Sequence, residues 1–195
     1  SIYDKVMRVK SISEALVSLL SIDNETARKI MRAVMLSKTD LDTAMVYEFA
    51  SLQGYIGRIY ALNEGEDKEV AEAINDQYKP RFSGDSIPTA MVSIVVSLSE
   101  KIDNIFGSFS VGNIPKGSQD PYALRRQANA IVDIIIRNGL KFQLVDVLKA
   151  VSSNYRDGFS LIGKLIDFVN GRARTIFTEA GFRYDEIDAC MLEGI

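Results

Sequence analysis

The sequence TAMVSIVVSLSEKIDNIF, residues 89–106, is apolar on most sides until Glu100. A helix that is apolar all round is typical of a protein centre, where neighbouring elements bury each of its faces. The length and apolar content of this stretch therefore predict a central helix. The β-branched Ile94, Val95 and Val96 leave a strand as the alternative, because periodicity does not separate short apolar runs.

Amphipathic helices are predicted on both sides of this central stretch. Before it, apolar residues at intervals of three and four predict a helix over residues 2–20, and Asp23 caps a second helix that ends near residue 37. Gly54 and Gly57 predict a bend or a close helix contact within a later helix. The remaining helices are predicted at about 41–49, 52–60, 66–78, 142–153, 159–180 and 184–193. The pattern indicates an all-α protein, with eight to ten helices in one compact domain over residues 1–195.

The stretch GNIPKGSQDPYALRR, residues 112–126, is predicted to be a loop that leads into a helix. Its glycines and its first proline interrupt regular structure too often for a helix or a strand. Asp120 is suited to be the N-cap of the helix, and Pro121 is suited to its first position, where a missing N–H costs nothing. After them, apolar residues at helical spacing continue to Gly139, which is a suitable helix end.

This arrangement places Lys116, Arg125 and Arg126 around a helix N-terminus, where free amides and the helix dipole favour anions. A phosphate group is one candidate ligand. The alternative is that the two arginines pair with carboxylates, such as Asp120 or Asp103, and only hold the loop in place. The residues by themselves leave both interpretations open.

Composition limits the chemistry of the chain. A net charge of −3 and an isoelectric point near 5.1 argue against a dedicated nucleic-acid-binding domain, so RNA contact requires a local basic patch. The single cysteine, Cys190, permits no internal disulfide, which suits a reducing cytoplasm. No apolar run approaches the ~18 residues of a membrane-spanning helix. The first residue is Ser1 rather than an initiator Met, and we expect the chain to be a fragment.

Three stretches resemble one family in the same order. Residues 115–128, PKGSQDPYALRRQA, resemble the signature P-T-G-S-x-D-P-F-A-L-R-R-x-A of the bacterial glycyl-tRNA synthetase beta subunit, with departures at Lys116 and Tyr122. Residues 36–54, LSKTDLDTAMVYEFASLQG, and residues 78–88, YKPRFSGDSIP, are similar to the same family. Looser similarity at both ends extends the resemblance over nearly the whole chain.

The resemblance implies that the parent complex is a cytoplasmic ligase that uses ATP to attach glycine to its tRNA. In that family the catalytic core, with ATP and Mg²⁺, belongs to the alpha subunit. The chain is then expected to be a non-catalytic, divergent HD-type helical module without a cofactor of its own. Its expected partners are glycine tRNA and the alpha subunit, and it is not expected to bind a membrane.

Two loops supply the candidate residues for tRNA binding. The alternative for their aromatic residues is that both rings anchor their loops in the core. The candidates for phosphate contact are Lys79, Arg81, Lys116, Arg125 and Arg126, and the candidates for base stacking are Phe82 and Tyr122.

A different function class, an HD-type metal-dependent nucleotide phosphohydrolase, is the competing hypothesis. Such enzymes hold their metal through histidines, and this sequence contains none. Asp40 and Asp103 are weak candidates that alone hold Mg²⁺ poorly. A serine or cysteine nucleophile also lacks an imidazole base, so we predict no catalytic residue. A third hypothesis is a purely architectural domain in which the arginines act as internal struts.

Overall fold

The computed structural model describes residues 1–117 and 119–191. Its regular elements in these ranges are ten α-helices and three short 3-10 helices, without a strand, which confirms the all-α prediction. No helix in the described part of the chain is both long and apolar enough to cross a membrane. The chain divides into two compact units, residues 1–100 and 101–195. The single domain and its HD-type arrangement stay predictions.

The first unit contains the N-terminal helices and the start of the predicted central helix. Ser1 and Asp4 form a capping box at its N-terminus, and the carboxylate of Asp23 accepts hydrogen bonds from the amides of Glu25 and Thr26, as predicted. Its helices are α1 (Ile2–Leu19), α2 (Asn24–Leu36), α3 (Ala44–Glu48), α4 (Tyr55–Asn63), α5 (Lys68–Asp76) and the first half of α6 (Met91–Ser110), with 3-10 turns at Thr39–Asp42 and Ala50–Leu52.

Helix α6 confirms the prediction made from the central stretch. Every side chain from Val92 to Asp103 is buried, and the alternative of a strand is wrong. A helix that is apolar on most sides has its lowest free energy when all of its faces are covered, because burial removes apolar surface from water. The same stretch therefore forms the longest buried segment of the described chain.

Close packing between α4 and α5 explains the two glycines before and within α4. A Cβ atom at Gly57 would lie 2.8 Å from Ile74 Cγ2 and 3.1 Å from Asp40 Cγ. Gly54 has a positive φ of 80°, and a Cβ there would lie 2.7 Å from the ring of Tyr78. The prediction of a close helix contact is confirmed.

The first unit buries the carboxylate of Glu100 together with the ammonium group of Lys38. Lys38 Nζ lies 3.1 Å from Glu100 Oε1 and 3.3 Å from the hydroxyl of Tyr78, and Lys5 Nζ lies 3.3 Å from the same Glu100 oxygen. Because burial and the nearby carboxylates disfavour the phenolate, the pKa of Tyr78 is raised. The charge of Glu100, which interrupts the apolar central stretch, is thus compensated by two lysines.

The second unit contains the end of α6 and four further helices. Helices α7, α8 and α10 each pack against α9. Gly139, with a φ of 60°, ends α7 as predicted, and residues 192–193 of the last predicted helix lie outside the described residues. The helices are α7 (Leu124–Arg137), α8 (Leu144–Val151), α9 (Gly158–Glu179) and α10 (Tyr184–Met191), with a 3-10 turn at Ser152–Asn154.

Candidate nucleic-acid interface

The signature loop, residues 112–126 except the undescribed Ser118, connects α6 to α7 and includes the first turn of α7. Its first residues cover the end of α6: the Gly112 amide donates to the Phe109 carbonyl, and the Asn113 amide donates to the Ser108 carbonyl. An isolated bridge pairs Lys116 with Gln119. These backbone hydrogen bonds define the path of the loop.

The predicted start of α7 is wrong by three residues. The helix begins at Leu124, because Pro121 and Tyr122 form a turn and Ala123 has a left-handed φ of 53°. Asp120 still caps it from a distance: Oδ1 accepts from the Leu124 amide at 2.8 Å, and Oδ2 accepts from the Arg125 amide at 2.9 Å. The amides at the start of α7, which the sequence suggested as donors to a phosphate, therefore already donate to the carboxylate of Asp120.

The side chain of Arg125 holds the signature loop through backbone carbonyls. Its Nη2 donates to the Gly117 carbonyl at 2.6 Å, and its Nη1 lies 3.4 Å from the Gln119 carbonyl. Arg125 therefore holds the loop, as in the alternative interpretation from the sequence. Its acceptors are backbone carbonyls and not the predicted carboxylates. Asp103 instead accepts a hydrogen bond of 2.7 Å from the hydroxyl of Tyr155.

Three other candidates in the signature loop are exposed. The side chains of Lys116 and Arg126 face solvent, and Tyr122 is 57% exposed. Tyr122 thus does not anchor the loop in the core. The second unit therefore brings together two exposed cations and one exposed aromatic ring around a loop fixed by Asp120 and Arg125.

The second candidate loop, residues 79–88, lies in the first unit. Lys79 Nζ is 2.9 Å from Asp76 Oδ1, and Arg81 donates through Nη2 to Asn75 Oδ1 at 2.9 Å. Phe82 is 61% exposed. The unit brings Lys79, Arg81 and Phe82 together, but an acidic neighbour already offsets the charge of Lys79. The combination of both loops into one basic face stays a prediction.

Both weak metal candidates accept hydrogen bonds from the protein itself. Asp40 is 1% exposed, and its Oδ2 accepts from the Gly54 amide at 2.6 Å, while Asp103 is bound by Tyr155. Among the described residues, no group of three or more His, Cys, Asp or Glu side chains is arranged to hold a metal ion. Each carboxylate therefore has a structural role in its own unit.

Sequence reasoning missed the backbone acceptors of Arg125 and the partners of Lys38. A positively charged residue beside a glycine-rich loop gives no signal that its acceptors are carbonyl oxygens. Lys38 had a usable signal, because Glu100 within an apolar run requires a buried cation nearby.

Comparison with known proteins agrees with the signature. The sequence profile of the family described as "Glycyl-tRNA synthetase beta subunit" matches residues 1–192. The glycine–tRNA ligase beta subunit of Halothermothrix orenii is 44% identical over 195 residues, covering 100% of this chain and 28% of that protein. The beta subunit of Desulforamulus reducens is 40% identical over 201 residues, covering 100% of this chain and 29% of that protein. The beta subunit of Actinobacillus succinogenes is 38% identical, covering 98% of this chain and 28% of that protein. The chain thus spans less than a third of the length of these relatives.

Proposed function

The chain belongs to the glycyl-tRNA synthetase beta subunit family, and from this membership we propose that it is a non-catalytic helical module of a glycine–tRNA ligase. It supports tRNA binding, subunit assembly or both, for the ATP-dependent attachment of glycine to tRNA. Its proposed partners are glycine tRNA and the alpha subunit. ATP and Mg²⁺ are proposed to bind at the alpha subunit, in the cytoplasm, and not at this chain.

The observation that supports tRNA binding is the exposure of Lys116 and Arg126 on a loop that other residues hold in place. Phosphate contacts position an RNA when the cations are fixed relative to each other. Asp120 and Arg125 supply this rigidity, because their side chains bind the backbone of the loop. We therefore assign phosphate contact to Lys116 and Arg126, and a positioning role to Arg125.

The loop at residues 79–88 is proposed as a weaker contact. Arg81 and the exposed ring of Phe82 are suited to a phosphate and a base, respectively. Lys79 contributes less, because its ammonium group is already paired with Asp76.

An architectural role is the second candidate, and the hydrogen bonds of Arg125 favour it. A guanidinium that binds carbonyls of its own loop is an internal strut. The hydrolase alternative has no such support, because the chain has no histidine and both Asp40 and Asp103 accept hydrogen bonds from the protein. ATP hydrolysis or glycine activation by this chain alone would contradict the non-catalytic proposal.

Charge reversal separates binding from architecture. Lys116→Glu and Arg126→Glu are expected to weaken the binding of glycine tRNA and to reduce its salt slope by about 1 each. Lys164→Glu, at an exposed position on α9, is the matched control for the change in net charge. A lower affinity with an unchanged melting temperature supports the proposal. Affinities equal to that of the control variant, or a collapse of the fold, favour architecture.

A further inference from the structure

A cavity of about 250 Å³ lies within the signature loop, between residues 112 and 124. We propose that it binds a single unpaired nucleobase of the tRNA, stacked on Tyr122. This inference rests on the proposed function, and it adds to the phosphate contacts a site for one base. The residues that carry it all belong to the second unit.

The size of the cavity restricts its ligand. Sites for complete small molecules usually have volumes of about 300–1,000 Å³. A cavity of about 250 Å³ is below this range and suits one planar ring system rather than several nucleotides. A base in an RNA duplex is stacked between its neighbours, so only an unpaired base is free to enter.

The walls have the chemistry that a base requires. Ile114, Pro115, Pro121 and Leu124 supply apolar surface to the cavity, and the exposed ring of Tyr122 supplies an aromatic face for stacking. Asn113 and Gln119, whose side chains are amides, also line the cavity. Each amide offers a donor and an acceptor, which is the combination that pairs with the edge of a nucleobase.

The charges around the cavity also suit a nucleotide. Lys116 lines the cavity and is exposed, so its ammonium group is available to the phosphate of an inserted nucleotide. Asp120 is the one acidic residue among the described residues that line the cavity, and both of its oxygens accept amide hydrogen bonds from α7. The helix dipole offsets part of that negative charge and so reduces its repulsion of a phosphate.

The experiment measures binding of a short single-stranded oligoribonucleotide with a fluorescent purine analogue, and of glycine tRNA, to the 195-residue chain. Tyr122→Ala removes the stacking ring, whereas Tyr122→Phe keeps it. Tyr184→Ala is the matched control, because Tyr184 is 77% exposed and does not line the cavity. A melting curve for each variant verifies folding.

We expect Tyr122→Ala to weaken the binding of both ligands by roughly 5- to 150-fold. Stacking on the ring of Tyr122 should quench the fluorescence of the analogue, and this quenching should be lost in the variant. Tyr122→Phe and Tyr184→Ala are expected to bind like the wild type. If tRNA binds with a steep salt dependence but Tyr122→Ala leaves both affinities unchanged, the base site is refuted and the proposed function stands. If neither RNA binds the wild type, the base site and the tRNA-binding part of the proposed function are both refuted, and subunit assembly is the part of the proposed function that stands.

Discussion

Arg125 and Arg126 are adjacent in sequence but have different surroundings. The guanidinium of Arg125 donates to carbonyls of Gly117 and Gln119, whereas the side chain of Arg126 is exposed. Hydrogen bonds from a charged donor are roughly twice as strong as those between neutral groups, and here both acceptors belong to the same loop. Substitution of Arg125 should therefore lower the stability of the loop.

We predict that Arg125→Gln lowers the free energy of unfolding by about 1 kcal/mol, because it removes hydrogen bonds to two carbonyls. Lys164→Gln, at an exposed position on α9, is the matched control, with an expected change within about 0.5 kcal/mol. Chemical denaturation of both variants measures the difference. Equal losses of stability would show that Arg125 does not hold the loop.

Asp133, partly buried on α7, predicts a dependence of stability on pH. Burial raises the pKa of its carboxyl, and the charge of Arg137 offsets part of that effect. When a carboxyl group has a higher pKa in the folded state than in the unfolded state, the unfolded chain ionises first as pH rises. The protein therefore loses stability between the unfolded and the folded pKa of that group. Asp133→Asn should therefore raise the free energy of unfolding at about pH 7, by at most about 1 kcal/mol given its partial exposure.

Denaturation of Asp133→Asn and the wild type at two pH values tests this sign. At about pH 3 most of the carboxyl is neutral in both states, so the advantage of the variant should largely disappear. A gain of the same size at both pH values would mean that ionisation is not its cause.

At the scale of the elements, the packing of α4 on α5 depends on Gly57. Helix propensity alone favours Ala over Gly by about 1 kcal/mol. A Cβ at Gly57 would, however, lie 2.8 Å from Ile74 Cγ2 and 3.1 Å from Asp40, both of which are buried. We therefore predict that Gly57→Ala destabilises the protein by about 1–3 kcal/mol despite the gain in propensity.

The matched control for this prediction is Gly163→Ala in α9. A Cβ at Gly163 meets no heavy atom within 4 Å, so only the propensity acts, and we expect a gain of about 0.5–1 kcal/mol. Thermal unfolding of both variants measures these opposite shifts. A stabilising effect of Gly57→Ala would contradict the described packing of α4 on α5.

Ion pairs connect α2 to the start of α5. Arg32 pairs with Glu66, and the guanidinium holds the pKa of that carboxyl below its usual value. A depressed pKa adds stability that is present above the unfolded pKa and is lost as pH falls through the folded pKa. We predict that Glu66→Gln lowers stability by about 0.2–1 kcal/mol at about pH 7 and has little effect at about pH 3. Glu64→Gln, at an exposed position without a described ion pair, is the control in the same denaturation series.

The helices could be predicted from sequence where a local signal set their limits. Asp23 caps α2, and Gly139 ends α7, because both depend on neighbours within a few residues. The start of α7 was misjudged because the cap from Asp120 spans four and five residues and the left-handed Ala123 has no signature in sequence. Local signals do not predict contacts between residues that are far apart in sequence, such as the hydrogen bond between Tyr155 and Asp103.

At the scale of the whole molecule, a chain with a net charge of −3 is proposed to contact a polyanion. Such binding requires that cations be concentrated locally, since the overall charge does not attract RNA. The sequence was sufficient to identify the signature loop and its cations. It was not sufficient to distinguish Lys116 and Arg126, which are exposed, from Arg125, which binds the loop itself.

The most direct test is the affinity of the 195-residue chain for glycine tRNA as a function of salt, with an unrelated tRNA for comparison. Two phosphate contacts, from Lys116 and Arg126, and the weaker one from Arg81 predict that the logarithm of the affinity falls with the logarithm of salt at a slope of about −2 to −3. Because phosphate contacts carry no sequence information, both tRNAs should show similar slopes. Absence of binding at low salt, or binding that does not depend on salt, would contradict a phosphate-contacting surface on this chain.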